Sequence, residues 1–191
     1  RTAFQDLVPL MLMTISDALA ANDEGEVRSA LEVFVEVAES QPKFLKRNVV
    51  DCVNGMIQIA GNTDLEDATR HLALEFLLTV AETSPTTARK IPTFCSSVVP
   101  LALKMMLELE CDTAEELAEW EEQEEDDEDT EITNYDVGEE ALDRLAIAMG
   151  GKTMVPVLFE QIQQLIKSTE WKHRHAALMA ISQSGEGCEK Q

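Results

Sequence analysis

The chain has 191 residues, 45% of them hydrophobic but only 5% aromatic, so its core must be built from Leu, Val, Ile, Ala and Met. That composition, with few Gly and Pro, favours helices over sheets. A formal net charge of −22 argues against direct nucleic-acid binding, which needs Lys and Arg for phosphate, and no apolar run approaches the ~20 residues that span a bilayer.

In chain order, apolar residues recurring every three or four positions predict helices over roughly 4–20, 25–40, 43–60, 65–83, 91–109, 137–149, 153–167 and 170–184. Val27, Leu31, Phe34, Val35 and Ala38 are the clearest such stripe. Boundaries fall at Asn22-Asp23, Gln41-Pro42, Gly61-Asn62, Ser84-Pro85, Gly150-Gly151 and Ser168-Thr169. Prolines inside the first helix of a pair should kink it or start a new turn.

The predicted helices repeat as pairs. An Ala-Leu step recurs at Ala30-Leu31, Ala73-Leu74, Ala141-Leu142 and Ala177-Leu178, each with an apolar residue three positions on: Phe34, Leu77, Leu145 and Ile181. Upstream lies a second anchor, Val8-Pro9-Leu10, Val99-Pro100-Leu101 and Val155-Pro156-Val157, with Asp51-Cys52-Val53 in the remaining unit. Pro9 to Ala30, Cys52 to Ala73 and Pro156 to Ala177 are each 21 residues; Pro100 to Ala141 is 41. The third unit is therefore the same unit with 20 extra residues. Two-helix units of roughly 40 residues predict an all-α HEAT-repeat solenoid of four helix pairs, because one pair cannot bury its own apolar face. The expected units are 1–40, 41–84, 85–150 with an acidic loop over 108–136, and 151–188, forming one segment. The chain begins at Arg1 within a helical pattern and is expected to be a piece of a longer protein, so its outermost helices should expose apolar surface.

The extra residues are acidic. From Glu108 to Glu131, fifteen of 24 residues are Asp or Glu and none is Lys or Arg, leaving −7 for the rest of the chain. Such a run cannot build a core, and lengthening a loop from ~5 to ~25 residues costs only about 1.3 kcal/mol. A solvating spacer and an electrostatic lure for a basic surface both remain open; Trp120, in its middle, could clamp an Arg or an apolar patch. The run lacks the ligand order and turn Gly of a calcium loop.

A second acidic feature emerges from counting along each second helix. One position after the anchor Leu stand Glu32, Glu75, Asp143 and Met179; eight after it stand Glu39, Glu82, Gly150 and Glu186. Positions seven apart share a helix face. Stacking would line these acids into a ribbon suited to extended Lys- and Arg-rich peptides, or leave them as an ordinary solvated face.

Catalytic chemistry is absent from the pattern. His71, His173 and His175 lack the companions for a zinc site, and Gly150-Gly151-Lys152 lacks the upstream glycine of a phosphate loop. No enzyme activity, metal or cofactor is expected. Cys52, Cys95, Cys111 and Cys188 are widely spaced and read as reduced thiols of a cytosolic or nuclear protein, the first two as small buried hydrophobes.

The segments "WKHRHAALMAIS" with "GEGC" and "NYDVGEEALDRLAIAMGGKTMVPV" closely resemble the importin-beta superfamily, and "ALDRLAIAMGG" and "RHLALEF" resemble its beta-3 (importin-five) branch. The resemblance covers nearly the whole chain. It implies a shuttling nuclear transport receptor that binds basic import cargo (nuclear localisation signals, ribosomal proteins or histones) on its inner second-helix surface and releases it to Ran-GTP, with nucleoporins as further partners. By position, it points to Asp143 and Glu186 for cargo, then Glu140, Asn134 and Trp171, with Glu82 and Glu39 added by the ribbon. It places Ran contacts on the acidic stretch, at Trp120, Glu124, Glu125, Asp126, Asp127, Glu128 and Asp129. A HEAT scaffold subunit and an acidic chaperone for basic proteins are the alternatives.

Overall fold

The computed structural model describes residues 7–109 and 132–189. Among the described residues there are ten helices and no strand. Leu7–Ala20 (α1) pairs with Glu24–Ser40 (α2); Pro42–Leu45 (α3) leads into Val49–Ala60 (α4), which pairs with Asp67–Thr83 (α5). Pro85–Ala88 (α6) leads into Phe94–Met106 (α7), which pairs with Asn134–Met149 (α8). Gly151–Leu165 (α9) pairs with Trp171–Cys188 (α10).

Two layers result, first helices α1, α4, α7 and α9 and second helices α2, α5, α8 and α10. The second helices pack on one another far more extensively than the first helices do. That asymmetry is what the concave side of a HEAT-repeat solenoid requires.

Local sequence explains several helix ends. Asn22 takes φ 54, a left-handed turn that Asn tolerates, and Asp23 then accepts the Glu26 N–H at 3.1 Å to open α2. Thr133 and Asp136 form a reciprocal capping box that opens α8 three residues earlier than the apolar spacing predicts. Gly150, at φ 72, closes α8 and opens α9 at once. Pro42 and Pro85 occupy first-turn positions of short helices, where a missing N–H costs nothing.

Two expectations need correction. The helices predicted over 43–60 and 91–109 are shorter, 49–60 and 94–106, each preceded by a separate short helix. In the second case Pro92 supplies the break, since it disfavours helical geometry at Ile91. The last helix runs to Cys188, beyond the predicted 184.

The core is aliphatic. Val27, Leu31, Phe34 and Ala38 form the buried stripe of α2, with Val35 half-buried beside it. Phe34 meets Phe76 of α5 edge-on at 5.9 Å, a geometry worth about 0.5–1.5 kcal/mol beyond area burial. Cys52 and Cys95 are buried, and burial pushes their thiols up to about 12 and about 11. Gly138 and Gly187 let backbones approach closely: a Cβ on Gly138 would lie 2.5 Å from the Ala102 oxygen of α7, and one on Gly187 2.3 Å from the Ala146 carbonyl carbon of α8. Exposed apolar side chains gather on the outermost helices, Leu7, Leu10 and Met13 on α1, Val155 and Phe159 on α9, and Leu178 and Ile181 on α10.

Candidate partner-binding surface

Two of the counted acids, Glu75 and Glu82, meet around one cation. Arg144 of α8 reaches across to α5, where its Nε and Nη2 donate to Glu82 at 2.7 and 3.0 Å and its Nη1 and Nη2 donate to Glu75 at 2.7 and 2.9 Å. Nη1 also donates to Glu140, one turn back on α8, at 3.4 Å. Glu75 and Glu82 are the first and eighth positions after the Leu74 anchor, so both point from α5 toward its neighbour. The Arg144 guanidinium holds the Glu75 carboxyl below the ordinary carboxylate range.

Glu39, Asp143 and Glu186 lie on the second helices α2, α8 and α10, outside this cluster. Glu39 on α2 and Glu186 on α10 are exposed, and Asp143 on α8 is half-buried. Among the described residues none of the three enters an ion pair. Glu39 follows Ala38, whose carbonyl accepts a hydrogen bond from Thr83 of α5 at 3.1 Å. Glu186 precedes Gly187, the point of contact between α10 and α8. Glu39 and Glu186 are thus next in sequence to residues at seams between second helices.

Asn134 and Trp171 occupy a different place, the amino-terminal end of the same layer. Asn134 donates to Glu108 at 3.0 Å and lies 2.6 Å from His71 Nε2, so its side chain is spent on internal bonds. Arg70, 3% exposed, clasps Glu108 through two hydrogen bonds of 2.8 and 2.9 Å, and also donates to Asp67 and to the Ala60 carbonyl. The Asn134 amide and then the Arg70 guanidinium hold the Asp67 carboxyl below its usual range. Lys172 donates to the Leu109 carbonyl at 2.7 Å. Trp171 is half-buried and tilted over His175 at 6.1 Å, and His175 stacks on Tyr135 at 5.6 Å. Burial pulls the His175 imidazole below its ordinary value. Glu108, counted in the sequence as the first acid of the insertion, is thus an internal strut; Leu109 and Thr133 mark where the acidic stretch leaves and rejoins the helices.

Trp120, Glu124, Glu125, Asp126, Asp127, Glu128 and Asp129 lie outside the described residues. The spacing of the acids alone assigns no role to Arg144 or Arg70. The signal was present: Glu140 and Arg144 stand one helical turn apart in an otherwise acidic face.

Comparisons with known proteins decide the family. The Importin repeat family matches residues 62–156, and the family described as IPO5-like, TPR repeats matches residues 1–55. Importin subunit beta-3 of Saccharomyces cerevisiae is 34% identical over 182 residues, 95% of this chain. The chain belongs to the importin-beta family. A probable importin-5 homolog of Dictyostelium discoideum is 30% identical over 98% of the chain. Among solved structures, Kap121p superposes with a TM-score of 0.88 at 32% identity over 98% of the chain, and Kap121p bound to RanGTP with 0.85 at 32% over 97%. This importin-family chain spans only 16% and 17% of the two curated relatives and 18% of either Kap121p chain.

Proposed function

We propose that this chain is a section of a shuttling nuclear transport receptor, and that its second-helix wall takes Lys-rich segments of import cargo. The observation that carries the reading is the seating of Arg144. A basic side chain lies across Glu75 and Glu82, with Glu140 beside it, so the carboxylates of two neighbouring helices converge on one cation. An extended peptide laid across the same helices would meet Glu39, Asp143 and Glu186 as further acids. Charge-assisted hydrogen bonds to carboxylates are the strong ones, and complementary potential fixes register and speeds encounter.

Similarity supports the partners. Kap121p has been crystallised with RanGTP, with Nup53p and with Pho4p. By that likeness the whole receptor would carry basic cargo, meet nucleoporins, and release cargo when Ran-GTP binds. Residues 110–131, with Trp120 and the run Glu124 to Asp129, are our assignment for the Ran contact, Glu108 being held internally. Release is then a coupling between two sites on one solenoid.

The test is a titration of a Lys-rich import-signal peptide into the chain and into a variant carrying Asp143→Ala and Glu186→Ala together. Affinity should fall several-fold at modest ionic strength, and the loss should shrink as salt screens the wall. Unchanged affinity rejects the reading.

A further inference from the structure

We propose that Arg144 is an internal competitor at this wall: its guanidinium occupies the central carboxylates, and a basic segment that binds there must displace it. The proposal rests on the cargo reading above and adds a residue that sets the threshold for binding.

The geometry is that of a bound ligand. Both Glu75 and Glu82 receive two-point hydrogen bonds, from Nη1 and Nη2 in one case and from Nε and Nη2 in the other. This is the fork recognition by which an external arginine would be gripped. The occupied centre therefore shows what the surface accepts, and at the same time denies it to others. Three carboxylates share one guanidinium, so the centre keeps part of its negative potential while its best acceptor positions are filled.

The pair is also placed to exchange. The Arg144 side chain is 22% exposed, and the carboxylates it holds are 38%, 39% and 67% exposed. Water can reach each bond as it breaks, so exchange costs less than it would for a sealed pair. Arg70 makes the contrast. It is just as fully hydrogen-bonded but only 3% exposed, and it faces Glu108, itself 26% exposed. Arg70 is a strut, while Arg144 lies where an incoming side chain can reach the same oxygens.

Binding should therefore depend on where a partner carries its charge. A peptide whose basic groups meet only Glu39, Asp143 or Glu186 leaves Arg144 seated. One that places a lysine over Glu75 and Glu82 must exchange with it.

The experiment uses octalysine, titrated calorimetrically into the unaltered chain, into Arg144→Gln and into the Asp143→Ala, Glu186→Ala pair. Arg144→Gln should bind roughly threefold more tightly at low salt, the scale of one exposed ion pair, with the gain fading at high salt. Equal or weaker binding by Arg144→Gln, while the Asp143→Ala, Glu186→Ala pair still weakens it, overturns the competitor role and leaves the cargo reading intact. No binding by any form overturns both. A second measurement needs no variant: the Arg144 Nε–Hε resonance in a 15N spectrum should move and lose exchange protection as octalysine saturates the chain. A resonance that stays fixed at saturation overturns the proposal.

Discussion

Arg70 and Glu108, 38 residues apart in the chain, close on each other through two parallel hydrogen bonds of 2.8 and 2.9 Å. The contact fastens the end of the third first-helix to the second helix of the preceding unit. Arg70→Ala would leave Glu108 with only its Asn134 bond, its charge beside Asp67 and a bare Ala60 carbonyl. The Glu108 side chain keeps some water, so the cost should be about 2 kcal/mol rather than the larger figure for a sealed pair. Urea unfolding measures it, and an unshifted midpoint would contradict the strut.

Close packing predicts opposite outcomes at two glycines. Gly187→Ala places a methyl 2.3 Å from the Ala146 carbonyl carbon, and backbone cannot yield cheaply there. It should destabilise by roughly 1–3 kcal/mol. Gly55, inside α4, has nothing within 4 Å of its added Cβ. Gly55→Ala should stabilise by about 0.5–1 kcal/mol through helix propensity. Thermal melting of both variants tests the pair.

Helix capping between units can be tested at Arg89. Its Nε and Nη2 donate to the Met149 and Ala148 carbonyls at 3.1 and 2.9 Å, satisfying the open end of α8 from the turn before α7. Arg89→Gln should cost about 1 kcal/mol in a melting experiment, part hydrogen bond and part helix dipole.

How far the sequence reached can be judged from these same residues. The pairing of helices was legible because core positions repeat at fixed spacing; Leu31, Leu74 and Leu142 are buried as their register demands, whereas Leu178 in the last pair is exposed. Helix starts set by side-chain capping were harder, since Thr133 and Asp136 carry no apolar signal. The acids were legible as a periodic pattern on the second helices. What they do to one another was not, because Arg144 meets Glu75 from 69 residues away and only the stacking of α5 on α8 brings them together. The same holds for Asn134, whose neighbours Glu108 and His71 are distant in sequence.

Acid should loosen the wall in a defined window. Glu75 has its folded-state value pulled below the ordinary 4.5 by Arg144. A depressed carboxyl contributes stability that is complete above its unfolded value and is lost as pH falls through its folded value. Asp67 acts in the same sense below its ordinary 3.8. His175, lowered by burial from 6.5, favours its neutral form in the fold and likewise loses its contribution as pH falls. Stability should therefore decline toward acid, and Glu75→Gln should flatten the limb below pH 4.5. Melting temperatures from pH 3 to pH 7 on both proteins check this, and parallel curves would contradict it.

The most direct test is a crystal structure of the chain with a Lys-rich import-signal peptide bound. The account predicts an extended peptide across α2, α5, α8 and α10, with lysine Nζ atoms within hydrogen-bonding distance of Asp143 and at least one of Glu39, Glu82 and Glu186. A peptide seated on the first helices α1, α4, α7 and α9, with those carboxylates untouched, would contradict it.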